Sequence, residues 1–240
     1  MIGIFGDSFA AQSHETTWPS FLKLLINDNV ETHAVAASSL QFSIDLFLKN
    51  HTKYDKIVFL TTHVPRLTLP VSCVSNADNS TVVFDQWAGL GQVEYALENY
   101  SADNKILEKL FDYFVWIAGD NSQQLYHDIT YTALLVYIKS IRPDTILIPC
   151  FSSNGFSYYK DMGYTWSLCD ISSFELQRLN INGFPPNDPR SNHLSVENNK
   201  WLADHVASRL DGNFLNWNPT TSFQFTSVRE LEEHRYLWSR

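Results

Sequence analysis

Paired cysteines, clustered positive charge and a long apolar run are all missing from this chain, and each absence removes a class of function. The cysteines among its 240 residues are Cys73, Cys150 and Cys169. Odd in number and widely spaced, they exclude a disulfide framework and a Cys-x-x-Cys metal site, so they read as reduced thiols, with Cys150 a small buried residue at a strand end. Lysine and arginine number 17 against 26 aspartates and glutamates, for a formal net charge of −9. No stretch concentrates the basic residues, so no nucleic-acid partner is expected. No run approaches the length of a membrane span, and the first segment lacks the basic start and cleavage site of a secretory leader. The expected location is by default the cytoplasm, of a cell or of a virus's host, while export by another route and a place in a virion stay open.

With 44% hydrophobic and 18% charged residues, the chain can bury a full core, and one domain is the simpler reading. Its apolar pattern alternates between strand and helix. Ile2 to Phe5 is a first strand, Trp18 to Ile26 a short helix opened by Pro19, Thr32 to Ala36 a second strand and Phe42 to Lys49 a second helix. Lys56 to Thr61 is a continuous apolar strand of the kind found inside a parallel sheet. A long helical stretch then runs through Tyr131 to Ser140, a fourth strand from Asp144 to Cys150, and a last helix from Ser195 to about Leu210. Such alternation implies right-handed crossovers and a doubly wound α/β sheet, whose functional site lies at the carboxyl ends of the strands. Ser8, Ala37-Ser38, Thr62-His63 and Cys150-Phe151-Ser152 all fall at such ends.

Gly6-Asp7-Ser8 closes the first strand. Taken alone, three turn-forming residues after a strand make an ordinary turn or helix cap. A serine on a tight strand-to-helix turn, however, exposes its hydroxyl and leaves its own N–H free to stabilise an oxyanion. A serine hydroxyl is a poor nucleophile at neutral pH until an imidazole takes its proton, and the imidazole needs a carboxylate or carbonyl on its other nitrogen. Far downstream, Asn187-Asp188-Pro189-Arg190-Ser191-Asn192-His193-Leu194-Ser195 places a histidine just before a helix N-cap, at a rigid entrance where a side chain can be aimed. Ser8, His193 and Asp188 supply the three roles. Asp7 reads as a residue that stabilises the turn by hydrogen bonding.

The order of these two segments resembles the SGNH (GDSL-type) hydrolases, a family of esterases and lipases, over about residues 1 to 210. The resemblance implies a flavodoxin-like three-layer sandwich with a central parallel sheet, an acyl-enzyme formed on Ser8, and no metal or organic cofactor. It also implies an oxyanion hole built from the serine N–H, a glycine N–H after the second strand and an asparagine side chain after the third. The chain departs from that pattern. Ala37-Ser38 stands where the family usually shows glycine, so the N–H of Ser38 or Ala37 is the expected second donor. The Gly-x-Asn-Asp of the third strand is absent, which leaves Thr62 or His63 to complete the hole. Arg190 occupies the usual position of the acid, three residues before histidine; Asp188, brought back by Pro189, is the expected acid, with a backbone carbonyl as the alternative.

Two regions exceed a minimal domain of this type. Residues 64 to 103 form an insertion whose strand-like pieces around a polar turn read as a hairpin, either a lid or substrate-binding arm over the site or a packed loop. Residues 211 to 240 form a tail whose aromatics suggest docking, on its own domain, on a second copy in a homo-oligomer, or on a partner. Arg66 is a candidate for meeting a substrate carboxylate or phosphate, with a loop-bracing role as the alternative. Trp87, Trp116, Trp166, Phe151, Phe156, Tyr158 and Tyr159 either line a sugar or acyl pocket or pack the core. The expectation is a serine esterase acting on a small-molecule or glycan ester. The alternatives are a non-catalytic binding or structural protein on the same scaffold and a carbohydrate O-deacetylase.

Overall fold

The computed structural model of the chain describes residues 1–11, 15–35, 38–62, 74–75, 81–82, 105–113, 121–150, 156–160, 162, 164, 167–168, 194 and 196–213. In chain order its strands are β1 (Ile2–Gly6), β2 (Val30–Ala34), β3 (Lys56–Thr61), β4 (Val74–Ser75), β5 (Thr81–Val82) and β6 (Ile146–Pro149). Its helices are α1 (Trp18–Ile26), α2 (Leu40–Asn50), α3 (Lys105–Asp112), α4 (Asn121–Ile141), α5 (Phe156–Lys160) and α6 (Val196–Leu210), with a 3-10 turn at His51–Lys53. Strands β2, β1, β3 and β6 lie side by side in that order and are all parallel, so the fold is α/β with helices on a central sheet. The four strands expected from the sequence are these four. Val74 and Ser75 pair antiparallel with Val82 and Thr81, the short hairpin expected within the insertion.

Strand β1 is buried along its whole length, as a central parallel strand must be. One of its faces carries Phe5, which stacks on His33 of β2 at 5.0 Å and on Phe59 of β3 at 6.3 Å, while Phe47 of α2 meets it edge-on at 5.6 Å. On the same face Gly3 lies under the Tyr54 ring, where any added methyl would collide with the ring carbons. Strand β2 is the outermost strand of the described sheet on this side, and its residues are half-buried or exposed.

Helix boundaries follow local chemistry. Pro19 occupies the first turn of α1, where a missing N–H costs no intrahelical bond, and Asn27 ends the helix in the left-handed region at φ 48°. The hydroxyl of Ser39 accepts the Phe42 N–H at 3.1 Å, which starts α2 at Leu40, two residues earlier than the apolar pattern suggests. Strand β2 likewise starts at Val30 and ends at Ala34, because its register on β1 pairs Ile2 with Val30 and Gly6 with Ala34. Helix α1 packs against α6 through the buried Trp18 and Leu22.

The amino end of the sheet is closed by an arginine. Arg142, just past α4, donates from Nη1 to the carbonyls of His51 and Tyr54 at 2.9 and 3.1 Å, and from Nη2 to that of Asp55 at 3.0 Å. Asp144 holds the same guanidinium at 3.1 Å and thereby raises the Arg142 pKa further, while its own carboxyl is held below the usual carboxylate range by that contact. Among the described residues no helix is long and apolar enough to cross a membrane.

Candidate active site

In this sheet β1 runs on to β2 on one side while β3 lies on the other, so the strand order reverses between β1 and β3. A crevice at the carboxyl ends of that pair is where open α/β sheets hold their ligands. Ser8 lies there, two residues past the end of β1.

Gly6 makes the exit possible. Its φ is +155°, and a Cβ there would lie 2.9 Å from the Leu60 Cβ, 3.0 Å from the Leu60 carbonyl oxygen and 3.0 Å from the Ala10 Cβ. Only glycine lets β1 approach β3 this closely and turn. Two successive tight turns follow, the Ala10 N–H donating to the Asp7 carbonyl at 2.9 Å and the Ala11 N–H to the Ser8 carbonyl at 3.3 Å. Ser8 sits between them at 8% exposure. Among the described residues nothing is hydrogen-bonded to its N–H or its hydroxyl.

Asp7, by contrast, is fully buried and held by three segments of chain. Its Oδ1 accepts the Phe9 N–H at 3.1 Å, and its Oδ2 accepts the Thr62 hydroxyl at 2.8 Å. The Cys150 thiol lies 4.0 Å from Oδ1. One carboxyl group therefore joins the ends of β1, β3 and β6, the turn-stabilising role expected of it, and Cys150 is the small buried residue anticipated at its strand end. Beside this group, the Thr61 hydroxyl bonds the Ile148 carbonyl at 3.2 Å and the Tyr159 hydroxyl at 2.6 Å. Burial pushes the phenols of Tyr159 and Tyr131 well above the usual tyrosine range, so both remain neutral hydrogen-bonding groups.

Ser38 reaches the same edge. Its hydroxyl lies 3.4 Å from the Gly6 carbonyl and 3.4 Å from the Ser43 hydroxyl. Its N–H, however, donates to the Val35 carbonyl at 3.0 Å. The Thr62 hydroxyl has only one proton to give, and it donates it to Asp7. Of the expected oxyanion donors outside Ser8, the two that are described are thus engaged elsewhere: the Ser38 N–H on the Val35 carbonyl before α2, the Thr62 hydroxyl on a buried carboxyl group. The sequence-derived candidates His193, Asp188, His63, Arg66 and Ala37 lie outside the described residues, as do Trp87, Trp116, Trp166 and Phe151 and most of the insertion and tail. Tyr159 is a buried member of the polar layer and not a pocket wall.

Leu194 and α6 are described, and they reach the serine turn through two residues that the motifs did not single out. The Leu194 carbonyl accepts Nδ2–H of Asn199 at 2.9 Å, and Oδ1 of Asn199 accepts the Trp18 N–H at 2.9 Å. The Trp18 indole N–H then donates to the Phe9 carbonyl at 2.6 Å. A tryptophan followed by proline at a helix start was the available signal for Trp18, since a buried indole needs an acceptor. Nothing in the sequence pointed to Asn199. Neither the protein-family models nor the curated proteins include a match to this chain.

Proposed function

We propose that the chain is a serine acyl hydrolase of SGNH type, cleaving a carboxylic ester through an acyl-enzyme on Ser8. The observation that carries this reading is the state of Ser8: at the switch point of a parallel sheet, on a turn whose other members are fixed, with its N–H and hydroxyl uncommitted among the described residues. The strand order β2-β1-β3-β6 also agrees with a flavodoxin-like sheet. In the proposed reaction the Ser8 oxygen attacks the ester carbonyl while His193 takes its proton, with Asp188 or a carbonyl orienting the imidazole. His193 then gives that proton to the departing alcohol, and a water activated by the same histidine hydrolyses the acyl-enzyme. The Ser8 N–H faces the oxyanion, and the Ser38 N–H joins it on exchanging the Val35 carbonyl for substrate. The substrate class is a small-molecule or glycan ester.

The test is a fluorophosphonate probe with mass mapping of the labelled peptide. Label on Ser8, lost in Ser8→Ala, is the expected result; a chain that stays unlabelled, or a label that survives the substitution, overturns it. The engagement of the Ser38 N–H and the Thr62 hydroxyl favours one other reading, a non-catalytic binding protein on the same scaffold. That reading predicts ester or glycan binding without labelling. Turnover of acetylated sugars against p-nitrophenyl esters of graded chain length separates a carbohydrate O-deacetylase from a lipase-like enzyme.

A further inference from the structure

We infer that Trp18 and Asn199 are positioning residues that set the histidine-bearing entrance of α6 against the serine turn. The inference rests on the serine reading of Ser8 and His193, and it concerns how two segments separated by most of the chain keep a fixed relation. His193 and Leu194 share a peptide bond, and Leu194 is anchored twice: its side chain is buried in the core and its carbonyl is held by Asn199. Ser8 and Phe9 share another, and Phe9 is anchored in the same manner, with a buried ring, its N–H on Asp7 and its carbonyl on the Trp18 indole. The path Leu194, Asn199, Trp18, Phe9 consists of three hydrogen bonds of 2.9, 2.9 and 2.6 Å.

Each link suits its residue type. The Trp18 N–H belongs to the first turn of α1, where no helical carbonyl is available to it. A carboxamide can accept that proton on one side and donate to a carbonyl on the other, which neither an aspartate nor a leucine can do. The indole is 1% exposed, so its own N–H must find a partner inside the protein, and the Phe9 carbonyl is that partner. Packing of α1 on α6 holds the path in register, which makes it a rigid spacer between Phe9 and Leu194, the chain neighbours of the proposed nucleophile and base.

The test uses three substitutions in the full chain. Trp18→Phe keeps the aromatic packing and removes only the ring donor. Asn199→Asp keeps the acceptor for Trp18 and removes the donor to Leu194; Asn199→Leu removes both. Rates are normalised to folded protein and measured as fluorophosphonate labelling of Ser8 and as kcat and KM for p-nitrophenyl acetate. The expected result is a fall of about tenfold in labelling rate and kcat for Trp18→Phe and more for Asn199→Leu, at unchanged KM, with Asn199→Asp in between. The double variant Trp18→Phe/Asn199→Leu loses less than the product of the single effects, because both cut one path. A purely structural role would lower the thermal midpoint and leave the normalised kcat unchanged, and that outcome, in a wild type that labels, overturns the inference alone. A wild type that does not label at Ser8 overturns the serine reading and this inference with it.

Discussion

At the carboxyl end of the sheet a buried carboxyl group gathers donors, whereas at the amino end a guanidinium gathers acceptors. Asp7 takes the Phe9 N–H and the Thr62 hydroxyl; Arg142 gives its protons to the carbonyls of His51, Tyr54 and Asp55. Both groups bind strands and connections that would otherwise splay, but their effects on the backbone differ. Arg142 uses up carbonyls, so its end of the sheet is closed. Asp7 takes up the Phe9 N–H next to Ser8 and the Thr62 hydroxyl from β3, and leaves the serine's own N–H uncommitted among the described residues. The comparison teaches that the same task, closing one end of a parallel sheet, can either quench the backbone or present it to a ligand.

The largest effect tests what the carboxyl end does. Ser8→Ala should reduce ester turnover and probe labelling by at least about a thousandfold, with the thermal midpoint preserved. A smaller but still severe effect is expected where shape and not chemistry is at stake. Gly6→Ala forces a methyl against Leu60 and Ala10 at positive φ, and should destabilise the fold by about 2–4 kcal/mol in denaturant titration. Arg142→Ala should cost about 1–3 kcal/mol by the same titration while turnover per folded molecule stays at the wild-type level. If it also lowers that turnover, the two ends are not independent and the contrast fails.

The mildest test is a pH series that separates both ends from the rest of the core. His205 of α6 is buried, stacked on Trp201 at 5.1 Å, and burial, reinforced by the nearby Arg209 charge, lowers its pKa to about 3. Between that value and the ordinary 6.5 the unfolded chain binds the extra proton and the folded chain does not. Stability is therefore present above pH 6.5 and declines as pH falls through this window, with a slope of at most about 1.4 kcal/mol per pH unit from this residue. Equilibrium unfolding of His205→Phe, which keeps the stack, should show a correspondingly flatter profile than wild type. Equal slopes would show that His205 does not carry the acid sensitivity.

Much of the fold was legible because a buried parallel strand writes a continuous apolar run and an amphipathic helix opened by proline writes a spaced one: strand Lys56–Thr61 and helix Trp18–Ile26 were read with the boundaries observed. The boundaries that moved were set by partners a local pattern does not contain. Val30 entered β2 through its register on Ile2, and Leu40 entered α2 through the Ser39 cap. At the site, the turn-forming tripeptide and the Asp7 role were visible in the sequence, since Gly6, Asp7 and Ser8 are neighbours. The engagement of Thr62 was not, because it depends on where β3 ends relative to β1. Nor was Asn199, whose function arises only when α6 lies against α1.

Strand β2 has a consequence outside catalysis. As the outer strand of the described sheet, it offers backbone groups to any other strand that approaches, yet its sequence Val-Glu-Thr-His-Ala places Glu31 and His33 on one face, with Glu31 exposed and His33 capped by the Tyr54 hydroxyl. A strand added along β2 would have to lie beside the exposed Glu31 carboxylate. A charged side chain at a sheet margin is a guard against intermolecular strand addition, so Glu31, exposed and outside the core, protects this margin of the described sheet from aggregation.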